Sequence, residues 1–393
     1  MKKLRFGIVG IGKQGSYYAR VLGSLNKLLV KGGELTAICE IKEDRIAYAK
    51  AKYPNVKIFT DYNEMFASGE IDAVCVETPH YQHPTITMAA LKAGLHVLCD
   101  KPAGVHTTMV KEMIACAEET KKQYPDQVFG MMFNQRTNPL YIKAKEIIDS
   151  GELGDLKRIV WIITNWYRPQ KYYDQGGWRG TWGGEGGGVL LNQCPHQLDL
   201  FTWLVGLPES VSATISTRGR NISVENDVTA VCKYKNGATG VFITSTHDFP
   251  GTNRLEITGD GGKIVIEGMK LTFTKNDIME STYSSNGKEF MGKIPHKTTT
   301  YKGMKYYLQP LKYPPQHPGI MKNFTEFILG QTKEFKAPGE QGIIGLTLSN
   351  AIHLSGWTGK EVKMPLSEES EKEFIAELDK RIKEEADAGI AIE

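Results

Sequence analysis

The sequence has no large excess of charge of either sign. Its 393 residues include 48 Lys and Arg against 45 Asp and Glu, which gives a formal net charge of +3. So small an excess gives no electrostatic reason to expect nucleic acid as a partner, because proteins that bind a phosphate backbone present a strongly basic surface. Hydrophobic residues make up 40% and charged residues 24% of the chain, a balance that excludes a disordered protein.

Long hydrophobic runs and paired cysteines are also missing. No apolar stretch approaches the roughly 18–20 residues that a membrane span needs. The apolar run near Met1 is too short for a secretion signal, because Gly10 and Gly12 interrupt it. The six cysteines form no CxxC pair, which favours reduced, mostly buried thiols. We therefore expect a cytoplasmic protein without a membrane partner.

The first part of the chain alternates short apolar runs with helical patterns. The runs lack polar alternation, as strands do in a sheet that is covered on both faces. The pattern predicts an α/β fold with a doubly wound parallel sheet. Strands are predicted at 4–9, 34–39, 71–76, 95–99 and 128–132, and helices at 13–24, 43–52, 82–93 and 106–122.

From about residue 155 the pattern changes to longer strand-like runs. Asn236-Gly237 and Asp260-Gly261 are typical of hairpin turns, so these runs predict antiparallel sheet. Ser367 is the expected N-cap of the last helix. Strands are predicted at 157–166, 210–217, 227–234, 238–246, 253–259 and 262–266, and helices at 318–329, 341–355 and 367–387. These patterns divide the chain into domains 1–135 and 136–366 and a C-terminal helix, 367–393, that packs on the body.

A glycine-rich turn follows the first predicted strand directly and opens the first helix. In dinucleotide-binding folds the first glycine of GxGxxG permits a tight turn, the second lets the pyrophosphate approach, and the third lets helix and strand pack closely. The phosphates then meet the N–H groups at the start of the helix. The motif consists of Gly10, Ile11, Gly12, Lys13, Gln14 and Gly15. Its position between strand and helix predicts that 1–135 is a Rossmann domain.

The second predicted strand ends in an acid, Glu40. A carboxylate at this place accepts hydrogen bonds from the adenosine ribose and repels a 2′-phosphate, which favours NAD. Lys42 and Arg45 lie close behind and could neutralise such a phosphate, so NADP stays the less favoured alternative.

Polar residues follow the next two strands where those strands end. Ligands of open α/β sheets bind at the carboxyl ends of the strands, so we expect these residues near the cofactor. A lysine facing the nicotinamide could donate to a substrate oxygen or take a proton from it. The residues are Thr78, Pro79, His80 and His83 after strand 71–76, and Asp100, Lys101 and Pro102 after strand 95–99.

A second group of functional candidates lies in GGGVLLNQCPHQLD, residues 186–199. If a helix begins near Pro195, then His196 and Asp199 lie roughly on one face of its first turn. A histidine that titrates near neutrality suits removal of a hydroxyl proton as hydride leaves the same carbon. Cys194 and His196 are poorly spaced for a metal and lack a second pair, so we predict no metal site.

Taken in order, GIVGIGKQG, TPHYQH, DKP and GGGVLLNQCPHQLD resemble the glucose–fructose oxidoreductase, inositol dehydrogenase and MocA family, from residue 3 to about 365. The resemblance implies a Rossmann domain followed by an α+β domain with an open, mostly antiparallel sheet. It implies that this sheet carries dimer or tetramer contacts, so we expect a homodimer or homotetramer. It also implies NAD- or NADP-dependent oxidation or reduction of a hydroxyl on a sugar, cyclitol or glycoside.

The resemblance also implies roles for individual residues. The family's Glu-Lys-Pro motif falls on 100–102, which makes Lys101 the family lysine, and its Asp and His pair falls on Asn192 and His196. Asn192 stands where the family usually has Asp, which removes a carboxylate but leaves an amide that can orient a substrate hydroxyl. Asn134 and Arg136 resemble the family's substrate-side pair after the last Rossmann strand.

Aromatic residues are concentrated between positions 161 and 182. We expect Trp161 in a strand core, and the polar, glycine-rich stretch after Arg168 as a loop over the nicotinamide end of the cofactor. Trp178 with Arg179 and Glu185 suits the C–H face and hydroxyl rim of a sugar ring. The aromatic residues are Trp161, Trp166, Tyr167, Tyr172, Tyr173, Trp178 and Trp182.

Three functions are compatible with the sequence. The leading hypothesis is an NAD-dependent dehydrogenase for a sugar, cyclitol or glycoside, in which His196 removes the hydroxyl proton and Lys101 orients the same oxygen. The second is an enzyme that cleaves glycosides by transient sugar oxidation with tightly held NAD. The third, a cofactor-sensing binding protein without catalysis, is suggested only by Asn192. In each case we expect a small carbohydrate as the ligand and no nucleic acid.

Overall fold

The structure is a computed structural model that describes residues 3–175, 177–287, 291–303 and 316–390. Within these residues the strands are, in chain order, β1 (Leu4–Val9), β2 (Gly33–Cys39), β3 (Lys57–Phe59), β4 (Ala73–Val76), β5 (His96–Cys99), β6 (Phe129–Met131), β7 (Leu156–Ile163), β8 (Ser210–Ser216), β9 (Asp227–Lys233), β10 (Thr239–Ser245), β11 (Asn253–Gly259), β12 (Gly262–Glu267), β13 (Lys270–Asn276), β14 (His296–Lys302) and β15 (Val362–Lys363).

The helices include several single turns that lie between longer elements. They are α1 (Lys13–Gly23), α2 (Asn26–Leu29), α3 (Glu43–Lys52), α4 (Tyr62–Ala67), α5 (Gln82–Lys92), α6 (Thr107–Gln123), α7 (Pro139–Asp149), α8 (Gln170–Tyr173), α9 (Trp182–Glu185), α10 (Pro195–Val205), α11 (Glu280–Asn286), α12 (Gln316–Ile328), α13 (Gly342–Thr358) and α14 (Glu368–Asp387). Short 3₁₀ helices cover Asn134–Thr137 and Gly339–Gln341, and a π-helical turn covers Val189–Gln193.

The chain divides into two compact units. Unit 1 comprises the described residues of Met1–Thr137 and Gln309–Leu346, and unit 2 those of Asn138–Leu308 and Thr347–Glu393. The sequence-based division differs in two respects, because it assigns the described residues of 309–346, including α12, to the second domain and sets the C-terminal helix apart from it. In the structure α12 packs with the first sheet, where the ring of Phe324 lies 6.2 Å from that of Phe6 in β1.

Unit 1 is built on a parallel six-stranded sheet in the order β3-β2-β1-β4-β5-β6. Every residue of β4 is buried, as strands are when helices cover both faces of the sheet. The predicted doubly wound sheet is therefore confirmed. Chain order reverses between β1 and β4, and ligands of such sheets bind beside this reversal, at the carboxyl ends of the strands.

Unit 2 is built on a nine-stranded sheet in the order β14-β13-β12-β11-β7-β10-β9-β8-β15. Neighbouring strands are antiparallel apart from β7 and β10. Trp161 of β7 is fully buried between Tyr141 of α7 and Phe242 of β10, which confirms its predicted place in the core. The mostly antiparallel second sheet is confirmed as well.

Local signals at turns and helix ends were accurate. Gly237 adopts φ +84°, as the hairpin between β9 and β10 requires of a residue without a side chain. Ser367 caps α14, because its hydroxyl oxygen accepts the backbone N–H of Ser370 at 3.2 Å.

All six cysteines are free thiols, and five of them are buried. Among the described residues, no helix combines the length and apolar character needed to cross a membrane.

Candidate active site

The glycine-rich turn between β1 and α1 is tightly packed at two of its glycines and open at the third. Gly10 has φ +89°, and a Cβ there would lie 2.7 Å from the carbonyl oxygen of Glu77. A Cβ at Gly15 would lie 2.0 Å from the carbonyl oxygen of Gly10. A Cβ at Gly12 would meet no atom within 4 Å. Gly12 is therefore the point at which a ligand can approach the backbone of the turn.

The start of α1 suits an anionic ligand. Gly12 is its N-cap, and no side chain caps the first turn. The N–H groups of that turn and the positive end of the helix dipole can therefore interact with a phosphate group. Together with the open face of Gly12, this arrangement fits the pyrophosphate of a dinucleotide.

Glu40 is held against the glycine-rich turn. The side chain is 9% exposed. Its Oε2 accepts the Ile11 N–H at 2.9 Å, and its Oε1 accepts the N–H groups of Ile41 and Lys42 at 2.7 and 3.0 Å. A carboxylate has about four lone-pair positions, so capacity remains for a ribose hydroxyl. Glu40 thus also shapes the turn, a role that its position at a strand end did not predict.

Arg45 supports the turn from the other side. Its Nε donates to the Ile11 carbonyl oxygen at 2.9 Å, and its Nη2 donates to the Ser16 hydroxyl at 2.5 Å. The guanidinium is therefore engaged with protein atoms, which weakens the alternative in which Arg45 neutralises a 2′-phosphate. Lys42 is exposed.

A cavity of about 360 Å³ adjoins Glu40 in unit 1. Apolar groups from Ile41, Tyr62 and Ile86 line part of it, and Thr78 and Gln82 add polar atoms. This mixture can hold the adenosine half of a dinucleotide, with the purine among the apolar groups and the ribose beside the carboxylate. The cavity lies at the reversal of strand order, where the fold places its ligands.

Two acids follow β4 and β5 at the same sheet edge. Asp100 is 8% exposed and accepts the Lys101 backbone N–H at 2.8 Å. The Glu77 carboxyl oxygens are shielded from solvent. Burial raises the pKa of Glu77 well above its usual range, Asp100 raises it further, and the charge of Lys101 lowers it. A lone acid after a strand gives no sequence signal of such burial.

His83 joins the two turns that follow these strands. Its Nδ1 lies 2.7 Å from the Pro102 carbonyl oxygen, and its Nε2 lies 2.7 Å from the Thr78 carbonyl oxygen. Burial lowers the pKa of His83, although the two carbonyl groups oppose this effect. In the predicted cofactor site, the role of His83 is therefore to hold these two turns in position. The turns carry Pro79, the buried His80 and Lys101.

Asn134 and Arg136 are both buried in unit 1, in different surroundings. The Asn134 amide nitrogen lies 2.8 Å from Nε2 of His317, whose pKa burial lowers, with Asp100 raising it and Lys101 lowering it. Asn134 thus contacts a buried histidine that feels the charges of Asp100 and Lys101. Arg136 is 3% exposed and donates to the Gln341 side chain and, at 3.2 Å, to the Lys336 carbonyl oxygen. Arg136 is thus held by other protein atoms, and its predicted role on the substrate side stays a prediction.

In unit 2, Asn192 lies in the π-helical turn and His196 in the first turn of α10, which begins at Pro195 as predicted. The glycine run before them is fixed by a buried acid, Glu225, which accepts the N–H groups of Gly188 and Leu190 at 2.8 and 3.0 Å. Both Asn192 and His196 are half-buried. Since π-helical turns occur frequently at functional sites, this geometry suits a binding role.

Four of the predicted substrate-side residues form one cluster. Asn192 donates from Nδ2 to Oε1 of Glu185, which is 1% exposed. Arg179 places Nη1 3.8 Å from that carboxylate, and its guanidinium carbon lies 4.5 Å from the centre of the Trp178 ring. Burial raises the pKa of Glu185 to about 7. The half-buried Trp178 and Arg179 can contact a ligand, whereas Trp182 is buried.

The short helix that carries Glu185 is held by the C-terminal helix. Glu385 of α14 is 3% exposed, and its two oxygens accept the N–H groups of Trp182 and Gly183 at 2.6 and 2.9 Å. Thr181 caps the same turn through Gly184 N–H at 3.1 Å. The sequence predicted that the C-terminal helix packs on the body, but no local pattern indicated this contact.

Lys101 belongs to unit 1 and His196 to unit 2. Their cooperation on one substrate oxygen, and the position of the aromatic loop over the nicotinamide, therefore stay predictions. Within the part of the chain that the structure describes, no cluster of three or more His, Cys, Asp or Glu side chains is arranged to hold a metal ion.

Comparison with protein families gives two matches that together span more than half of the chain. Residues 4–125 match the GFO/IDH/MocA oxidoreductase model, described as an NAD-binding Rossmann fold. Residues 141–265 match the GFO/IDH/MocA C-terminal domain model.

Individual relatives share only about a quarter to a third of the aligned residues with this chain. The chain is 29% identical to the myo-inositol 2-dehydrogenase of Thermotoga maritima over 275 residues, which cover 68% of this chain and 77% of that protein. It is 32% identical to an inositol 2-dehydrogenase of Salmonella typhimurium over 152 residues, 38% of this chain and 43% of that protein. The WlbA dehydrogenase of Bordetella pertussis, crystallised with NADH and UDP-GlcNAcA, superimposes with a TM-score of 0.75 and 25% identity over 93% of this chain and 100% of that chain.

Proposed function

Because the chain belongs to the glucose–fructose oxidoreductase, inositol dehydrogenase and MocA family of NAD-binding oxidoreductases, we propose that it oxidises a secondary hydroxyl of a sugar, cyclitol or glycoside. The observation that carries this proposal is the open approach at Gly12, beside the uncapped start of α1 and the cavity at Glu40. The names of the two relatives that act on inositol support a polyol as the substrate.

Each candidate site residue has a separate role in the proposed reaction. NAD, when bound, supplies the hydride acceptor. His196 accepts the proton of the substrate hydroxyl, and Lys101 orients the same oxygen and stabilises charge on it. Trp178 packs on the C–H face of the sugar ring, while Arg179 and Asn192 bind hydroxyl groups at its rim. Asn134, which contacts His317 in unit 1, is proposed as a further substrate-binding residue.

The contacts of Glu40 and Arg45 favour NAD over NADP. A 2′-phosphate would meet the Glu40 carboxylate, and Arg45 is already engaged by Ile11 and Ser16. We further propose a homodimer or homotetramer, as the family resemblance implies; sedimentation equilibrium of the purified protein decides between these states and a monomer.

The test is a screen for NADH formation with purified protein and a panel of free sugars, cyclitols, and O- and C-glycosides. We expect at least one compound to be oxidised, with an amount of NADH formed that equals the amount of compound oxidised. Release of an aglycone without net NADH would instead identify the glycoside-cleaving alternative. A protein that binds neither NAD nor NADH would contradict the proposal altogether.

A further inference from the structure

We propose that Glu185 is a positioning residue of the substrate site: its buried carboxylate orients the amide of Asn192 and supplies the negative charge that position 192 itself lacks. This inference rests on the proposed function for the identity of the site. It concerns an acid seven residues before Asn192, in the separate helix α9.

The hydrogen bond between Glu185 and Asn192 determines which end of the amide faces a ligand. An ionised carboxylate can only accept hydrogen bonds, so it must receive the Nδ2 group of Asn192. The amide oxygen Oδ1 then points away from Glu185. Asn192 therefore presents a hydrogen-bond acceptor to the ligand. This suits a substrate hydroxyl that keeps its proton and lies next to the hydroxyl that is deprotonated.

Glu185 is fixed well enough to impose this orientation. Its second oxygen, Oε2, accepts the Gly180 N–H at 3.0 Å, so both ends of the carboxylate are bound. Its helix is clamped at its start by Glu385. A side chain that is 1% exposed and held at both oxygens has little freedom to release the Asn192 amide.

The charged and titratable groups around Glu185 come from several elements. Arg179 attracts its charge, whereas Glu225 and burial disfavour it, and Tyr173 interacts with it from α8. Burial is the largest effect and raises the pKa of Glu185 to about 7, while the bonds from Gly180 and Asn192 lower it. A protonated Glu185 would donate to Oδ1 of Asn192 and turn the amide, so substrate affinity should depend on pH near neutrality.

Exchanging the carboxylate and the amide group between positions 185 and 192 tests this arrangement directly. Glu185→Gln removes the charge and one acceptor, and should lower kcat/KM by about 10- to 100-fold, the loss expected for one hydrogen bond to a charged group. Asn192→Asp places two carboxylates in contact and should also lower kcat/KM at neutral pH. The double variant restores an amide–carboxylate pair in reverse order, and we expect it to regain most of the rate. Glu377→Gln, which removes a partly exposed carboxylate from α14, is the control and should behave as the wild type.

A titration that needs no turnover separates this inference from the proposed function. With ¹³C-labelled glutamate carboxyl groups, one resonance should titrate near pH 7, disappear in Glu185→Gln, and move to higher pH in Asn192→Ala, because that variant loses a bond to the ionised form. An unchanged midpoint in Asn192→Ala would overturn the inference, and so would a double variant no more active than Glu185→Gln alone. If no variant and no wild-type sample oxidises a polyol while the titration behaves as expected, the proposed function fails and the contact stands.

Discussion

Replacing Gly12 with alanine should separate cofactor binding from folding. The added methyl group meets no atom within 4 Å, and the backbone of Gly12 is extended, with a negative φ of −63°. The free energy of unfolding should therefore change by no more than about 0.5 kcal/mol. The same methyl group would occupy the space through which a pyrophosphate reaches the turn. Losing one hydrogen bond to the charged phosphate costs about 1.5–3 kcal/mol, which raises the Kd for NADH by about 10- to 100-fold.

The assay combines thermal denaturation with a fluorescence titration of NADH. Gly15→Ala is the matched control, because its methyl group would lie 2.0 Å from the Gly10 carbonyl oxygen. We expect Gly15→Ala to unfold at a lower temperature, whereas Gly12→Ala melts as the wild type does but binds NADH weakly. If Gly12→Ala binds NADH with wild-type affinity, the pyrophosphate does not pass Gly12, and the reasoning from the open face of the turn is refuted.

Three further variants test other contacts. Glu40→Ser should weaken NAD binding through loss of the Ile11 bond and move the affinity ratio towards NADP; a wild type that already prefers NADP would contradict the role given to Glu40. Glu385→Ala removes two hydrogen bonds to a buried carboxylate and should lower the free energy of unfolding by about 3 kcal/mol or more. Urea denaturation measures this change. The control variant Glu384→Ala, on the exposed face of the same helix, should have little effect. Glu185 binds more protons in the folded than in the unfolded protein between pH 4.5 and about 7, so its contribution to stability falls as pH rises through this window, by about 3 kcal/mol in total. Glu185→Gln should flatten that part of the pH dependence, and an unchanged slope would show that the carboxyl is not shifted.

Local patterns predicted much of the fold because they depend on neighbours in sequence. Helix α3 was predicted at 43–52 and runs from Glu43 to Lys52. Two of the strands that the sequence analysis misses, β3 and β14, lack such a pattern. β14 has the sequence HKTTTYK and is almost entirely exposed, so no alternation of apolar residues marks it. β3 is a three-residue strand at the edge of its sheet, too short to give a pattern.

The site was predictable only where a motif is continuous in sequence. The glycine-rich turn and the segment around His196 have such motifs, and their local geometry is as expected. Arg136 shows the limit, because its partner Gln341 lies 205 positions away. Glu385 resembles an ordinary solvated acid near the end of an amphipathic helix, and only the folded chain brings it to Trp182, 203 positions away. Long-range polar contacts of this kind leave no local signal.

The most direct test of the proposed mechanism is the turnover of His196→Ala with NAD and the best substrate of the panel. We expect kcat to fall by about 10²–10⁴-fold, the usual contribution of general acid–base catalysis. Affinity for NADH should change little, because the glycine-rich turn and Glu40 belong to unit 1 while His196 belongs to unit 2. If His196→Ala keeps most of the wild-type rate, the histidine is structural, and Lys101 must transfer the proton alone.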